Sequence, residues 1–140
     1  MSRLTRFLCG AVIGLTSACS EATGLGVADE RFDGVWRYQA SIAGSTTNIQ
    51  GTLTVTGADN GRLSGTLSAE QVEVSGQRTQ ISGLIAGTVV STGVAEMNLT
   101  LPGGVVRTHF TQMRNDSLIG DWSERNGTTA GAFRAGRAAP

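Results

Sequence analysis

From residue 32 onward, apolar residues recur at every second position rather than every third or fourth. Phe32, Gly34, Trp36, Tyr38, Ala40 and Ile42 alternate with Asp33, Val35, Arg37, Gln39 and Ser41, which predicts a strand with one face buried. Ile49, Gly51, Leu53 and Val55 alternate with Asn48, Gln50, Thr52, Thr54 and Thr56 in a second such strand, after a turn at Gly44-Ser45-Thr46. Asp59-Asn60-Gly61 is the strongest hairpin signal, because Asn-Gly supplies the positive φ that tight turns require. Leu63, Gly65, Leu67 and Ala69 follow in phase, and Val72 and Val74 out of it, so a bulge or break is expected near Glu70. Further strand-like runs cover 79–90, 94–101, 105–115, 118–124 and 129–137, separated by Gly-, Pro- and Asn-containing turns.

The count is eight strands if 62–75 is one bent strand and nine if it is two. Short turns make successive strands antiparallel neighbours, since a parallel crossover needs about a dozen residues or more. An eight-stranded antiparallel up-and-down meander removes its exposed edges most simply by closing into a barrel. The predicted class is therefore an all-β barrel, with a two-sheet β-sandwich as the alternative.

Ahead of the strands, Arg3 and Arg6 precede an uncharged run over 7–18 that ends Leu15-Thr16-Ser17-Ala18-Cys19. The run has the length of a secretory signal core and is shorter than the ~20 residues of a membrane-spanning helix. Small residues followed by cysteine resemble a bacterial lipoprotein signal. That resemblance implies cleavage after residue 18, lipidation of Cys19 and anchoring through its acyl chains, palmitate included. Two or more chains hold a protein stably on a membrane. By the same resemblance, Ser20 after the cysteine implies the outer membrane, and the expected location is lipid-anchored there, facing the periplasm. The alternative is an ordinary secretory signal with Cys19 a chance thiol. Residues 20–30 are small, polar and acidic, so 19–31 is expected to be a flexible tether and 32–140 a single domain.

Two local features resemble the calycin group of lipocalins, fatty-acid-binding proteins and avidins. Gly34-Val35-Trp36 stands at the start of the first strand, and Phe133-Arg134-Ala135-Gly136-Arg137 puts arginines on the last. The lipocalin resemblance implies that Trp36 plugs one barrel end with Arg134 or Arg137 packed across it. The stretch 54–66 is similar to the second hairpin of avidin-like barrels. Gly-x-Trp also recurs as Gly120-Asp121-Trp122, which limits its weight as a signature. An avidin-type biotin site uses several tryptophans, and two are too few here.

Composition narrows the chemistry. Eleven arginines balance eleven acids, with no lysine, so there is no positive excess for nucleic-acid binding. His109 is the only histidine, and both cysteines lie at or before residue 19, leaving no ligand set for a metal. Phe110 is the expected inward residue of its strand and His109 its solvated neighbour. The carboxylates are scattered, and Gly83-Leu84-Ile85-Ala86-Gly87 precedes neither a lysine nor a helix start, so it is no phosphate loop. No catalytic residue, cofactor or metal is expected, and the chain is read as non-enzymatic.

The expected function is a membrane-anchored barrel that binds a small apolar ligand, with a filled structural or protein-interaction module as the alternative. In a wide barrel, Tyr38, Leu53, Leu67, Met97, Leu99, Phe110 and Trp122 would line a cavity for a small apolar ligand. In a narrow one, such side chains fill the core and the loops or tether engage an envelope protein, as a protease-inhibitor-like module would.

Overall fold

A computed structural model describes residues 26–139. Residues 1–25, which hold the expected signal over 1–18, Cys19 and the first part of the expected tether, lie outside the described residues. Eight strands form: β1 (Gly34–Ser41), β2 (Asn48–Thr56), β3 (Arg62–Val72), β4 (Arg78–Ser91), β5 (Val94–Thr100), β6 (Val106–Arg114), β7 (Ser117–Glu124) and β8 (Ala130–Arg137). Each pairs antiparallel with its sequence neighbours, and β1 pairs with β8 from Trp36↔Arg137 to Ala40↔Phe133. The sheet is thus a closed up-and-down barrel rather than a sandwich. Closure removes the free edges that an open eight-stranded meander would expose.

The inward row explains the closure. Trp36, Leu53, Val55, Val89, Leu99, Leu118 and Trp122 are all at most 1% exposed. Burying each such side chain contributes roughly 1.5–3 kcal/mol relative to leaving it in water. Glycines sit where strands pass closest. A methyl at Gly131 would strike the Ser41 carbonyl oxygen and approach the Trp122 indole nitrogen, so that turn of the wall accepts nothing larger.

The phase change after Ala69 produces neither a bulge nor a ninth strand. β3 stays in regular register with β2 through Asn48↔Val72 and with β4 through Val72↔Arg78. Gln71 and Val72 are only half-buried and Val74 is exposed. No buried face dictates phase at that end of the hairpin. The register shift falls instead in β4, between Val89 and Ser91.

The segment before β1 is bound to the barrel as far back as it is described. Val27 donates its amide to the Val89 carbonyl, a short 3-10 helix covers Glu30–Phe32, and Phe32 is fully buried. Residues 26–31, read from sequence as tether, therefore form the lower edge of the domain. The cause is Asp29, whose carboxylate accepts from the Arg31 amide and guanidinium and from the Gly93 amide. Gly61 makes room for this strap: its φ is +76°, and a side chain there would run into the Gly26 backbone.

Candidate functional site

Strand direction gives the barrel two ends. The near end carries the N-terminal strap and the β2–β3, β4–β5 and β6–β7 turns. The far end carries the β1–β2, β3–β4, β5–β6 and β7–β8 turns.

Trp36 closes the near end. It is fully buried, its indole N–H donates to the Phe32 carbonyl at 3.1 Å, and the Arg137 guanidinium lies 4.2 Å from its ring centroid. Arg137 is held in turn by the carbonyls of Asp33 (2.9 Å) and Arg31 (2.6 Å). A cation over a tryptophan face is attractive by about 0.5–2 kcal/mol, depending on desolvation. Arg134, the other arginine expected at Trp36, points outward and donates to Gln39 Oε1 at 3.1 Å. It lies an odd number of residues from Arg137, so the two occupy opposite faces of one strand.

The far end repeats the device. Trp122 is 1% exposed, and its N–H donates across to the Ser41 carbonyl at 3.2 Å. The Arg107 guanidinium lies 4.6 Å from its centroid. Arg107 also gives Nε and Nη2 to Glu124 Oε1, both at 3.1 Å, and the two side chains are only 12% and 20% exposed. The second Gly-x-Trp thus builds a second plug.

Between the plugs lies one polar pair. Tyr38 Oη is 2.8 Å from His109 Nε2, and His109 Nδ1 is 3.4 Å from the Arg107 carbonyl. An Nδ1-protonated imidazole satisfies both, donating to the carbonyl and accepting from the phenol. Phe133 stacks on Tyr38 and meets the His109 ring edge-on, while Trp122 stacks on the other side. Burial lowers the His109 pKa to about 4; the Arg107 carbonyl opposes this and the Arg107 charge adds to it. Burial likewise raises the Tyr38 phenol well above its usual value, partly offset by the Arg107 charge. Both groups are therefore neutral at pH 7. Thr111 Oγ1 is a buried oxygen without a hydrogen-bond partner.

The placement of His109 reverses the expected phase of β6. His109 is 4% exposed and Phe110 56% exposed. Phe110 therefore lines no interior cavity and stands on the outer wall. His109 is paired with Met97 on β5 and Trp122 on β7, both inward residues, and the phase of β6 follows from theirs.

The other expected lining residues, Tyr38, Leu53, Leu67, Met97, Leu99 and Trp122, do face inward and are buried. The first five surround a central cavity with Ile85 and His109. Its volume is about 10 Å³, close to the ~10–15 Å³ needed for a single water. Among the described residues, no group of three or more His, Cys, Asp or Glu is placed to hold a metal ion.

No family model and no curated protein matches the chain. Solved structures do. A redesigned β-barrel, mFAP1, bound to DFHBI, is similar with a TM-score of 0.67 at 16% identity, covering 79% of this chain and 98% of its own. A second redesigned barrel, b11L5F_LGL, gives 0.66 at 15% identity, over 84% and 100%. A fluorescence-activating β-barrel designed de novo gives 0.62 at 16%, over 79% and 97%. At such identities the likeness concerns the fold. The chain is a small eight-stranded antiparallel β-barrel of the architecture those designed barrels use.

Proposed function

We propose that this protein is a non-enzymatic, lipid-anchored lipoprotein of the bacterial envelope, facing the periplasm from the outer membrane. Its barrel is a filled, rigid module that works through its outer surface. The observation that carries this reading is the central cavity of about 10 Å³ between two Trp–Arg plugs. Ligand pockets for drug-sized molecules are usually about 300–1,000 Å³. Lipidation is placed at Cys19, on the leader pattern that precedes it.

A second reading is a barrel that binds a small apolar ligand. The Tyr38–His109 pair favours it, since a lone hydrogen-bonded polar pair in an apolar interior can orient a guest. Three of the similar barrels are described as bound to DFHBI. A ligand entering here would have to displace core side chains or a plug.

A native mass spectrum of the processed protein, released gently from membranes, separates the two readings. The filled-barrel reading expects the mass of the lipidated chain, alone or as protein assemblies. An additional adduct of a few hundred daltons, lost on denaturation, would overturn it in favour of the ligand reading. Cys19→Ala is expected to move the protein from the membrane to the soluble fraction, and unchanged membrane association would refute the anchor.

A further inference from the structure

The outer wall of β6, β7 and β8 has a charge and shape pattern that complements itself. Phe110 stands exposed on β6 directly opposite two carboxylates, Glu96 on β5 and Asp121 on β7. One strand further, Asp121 faces Ala132 and Ile119 faces Arg134. Asp121 and Arg134 are thus diagonal neighbours, about 7–8 Å apart between Cα atoms. They make no ion pair with each other: the salt bridges among the described residues are Arg31–Asp29, Arg78–Glu70 and Arg107–Glu124. Arg134 turns to Gln39 instead. An acidic flank with an aromatic knob therefore adjoins a basic flank of Arg134 and Arg37. Against that basic flank lies a groove of about 410 Å³ lined by Ser117, Ile119, Arg134 and Gly136.

We propose that this face is the contact surface for a second copy of the chain, in a two-fold dimer. The proposal deepens the interaction-module reading by naming the partner. A two-fold interface needs residue i on j and j on i, and this face supplies the pair. Take a two-fold axis lying in the plane of the face, between β7 and β8 and perpendicular to the Asp121–Arg134 line. Rotation about it sets Asp121 of each copy against Arg134 of the other. With strands about 4.8 Å apart and residues rising about 3.3 Å, Ile119 and Ala132 fall next to the axis and meet their own counterparts. The same rotation carries Phe110 over the Ser117–Gly136 groove of the second copy, beside Arg134. There the ring gains a cation and covers its apolar surface.

Both barrels are closed, so the copies meet through side chains and not by strand pairing. The strip spans three strands and belongs with weak interfaces, below about 1,200 Å² in total. Confinement to one membrane raises the effective concentration of such pairs.

The test uses the full-length protein in its own membranes, with a cysteine placed on the axis. Ile119→Cys is expected to give a reducible dimer on mild oxidation with copper phenanthroline. The unaltered chain and Thr66→Cys, exposed on β3 on the opposite wall, are expected to give none. Adding Asp121→Arg to Ile119→Cys should cut the dimer yield by about tenfold or more, because like charges then meet twice. The charge swap Asp121→Arg with Arg134→Asp should restore it, which a folding defect would not do. Absence of the Ile119→Cys dimer, or a yield indifferent to Asp121→Arg, would overturn the proposal. The native-mass experiment reads the other question: a small-molecule adduct rejects the filled-barrel reading, while the crosslinking yield in the membrane decides this interface.

Discussion

Arg107 lies across the indole of Trp122 at 4.6 Å from the ring centroid, with Glu124 holding its guanidinium from the side. Arg137 stands over Trp36 in the same way at 4.2 Å. Each tryptophan donates its N–H to a backbone carbonyl, Ser41 at one end and Phe32 at the other. Both plugs combine a large apolar body, a satisfied polar tip and a cationic lid. The difference lies in charge: the far plug carries its own counter-ion, while Arg137 is fixed by carbonyls.

Removal of either plug should therefore be costly and similar in size. Trp36→Ala and Trp122→Ala are each expected to destabilise the fold by about 3–5 kcal/mol. Denaturant unfolding monitored by far-UV circular dichroism checks this. A loss under about 1 kcal/mol for Trp122→Ala would show that the far end is not sealed by it.

Stability should depend on His109 between pH 6.5 and about 4. Above 6.5 the ring is neutral in folded and unfolded chains alike. As pH falls through 6.5 the unfolded chain takes up a proton that the folded one refuses until about pH 4. Unfolding is thereby favoured, by about 3 kcal/mol once pH 4 is reached. Because the chain has one histidine, its NMR ring signal reads the folded value directly. A midpoint near 6.5 would contradict the burial, and His109→Gln should flatten the stability profile over this window.

Asp29 acts in a lower window with the same sign. The Arg31 hydrogen bond, aided by the Gly93 and Arg31 amides and opposed by desolvation, holds its carboxyl at about 2, below the ordinary 3.8. Its stabilisation is complete above 3.8 and is lost as pH falls toward 2. Asp29→Asn should lower the melting temperature at pH 7 and remove that part of the acid limb. Thermal melts of both proteins from pH 2 to 7 measure it.

Two glycines of β8 should respond unequally to alanine. Gly131→Ala drives a methyl into the Ser41 carbonyl and toward the Trp122 indole, and should cost about 1–3 kcal/mol or more. Gly136→Ala meets nothing within 4 Å and should stay within about 0.5 kcal/mol of the parent. Equal melting temperatures for the two would refute the close crossing at Gly131.

Phe110→Ser should leave monomer stability nearly unchanged, within about 0.5 kcal/mol, because the ring is on the outer wall. A loss of several kcal/mol in urea unfolding would return Phe110 to the interior.

Local pattern was enough to determine that this chain makes successive antiparallel strands, and counting strands against the cost of free edges was enough to close them. Trp36 was legible for the same reason, lying in an unbroken alternation from Phe32 to Ile42. The phase of β6 was not legible. Over 106–114 the strongest apolar residue is Phe110, and sequence alternation alone turns it inward. Only tertiary structure supplies the Tyr38 hydroxyl, 71 residues away, that gives a buried His109 its hydrogen-bond partner, and the neighbouring strands that impose its phase. The choice between Arg134 and Arg137 depended on which face of β8 turned inward, and the role of Trp122 on a carbonyl reached across the β8 seam. Cavity size was decided in the same way. Whether small inward residues leave room or let strands close on one another depends on how the opposite walls interdigitate, and here they meet.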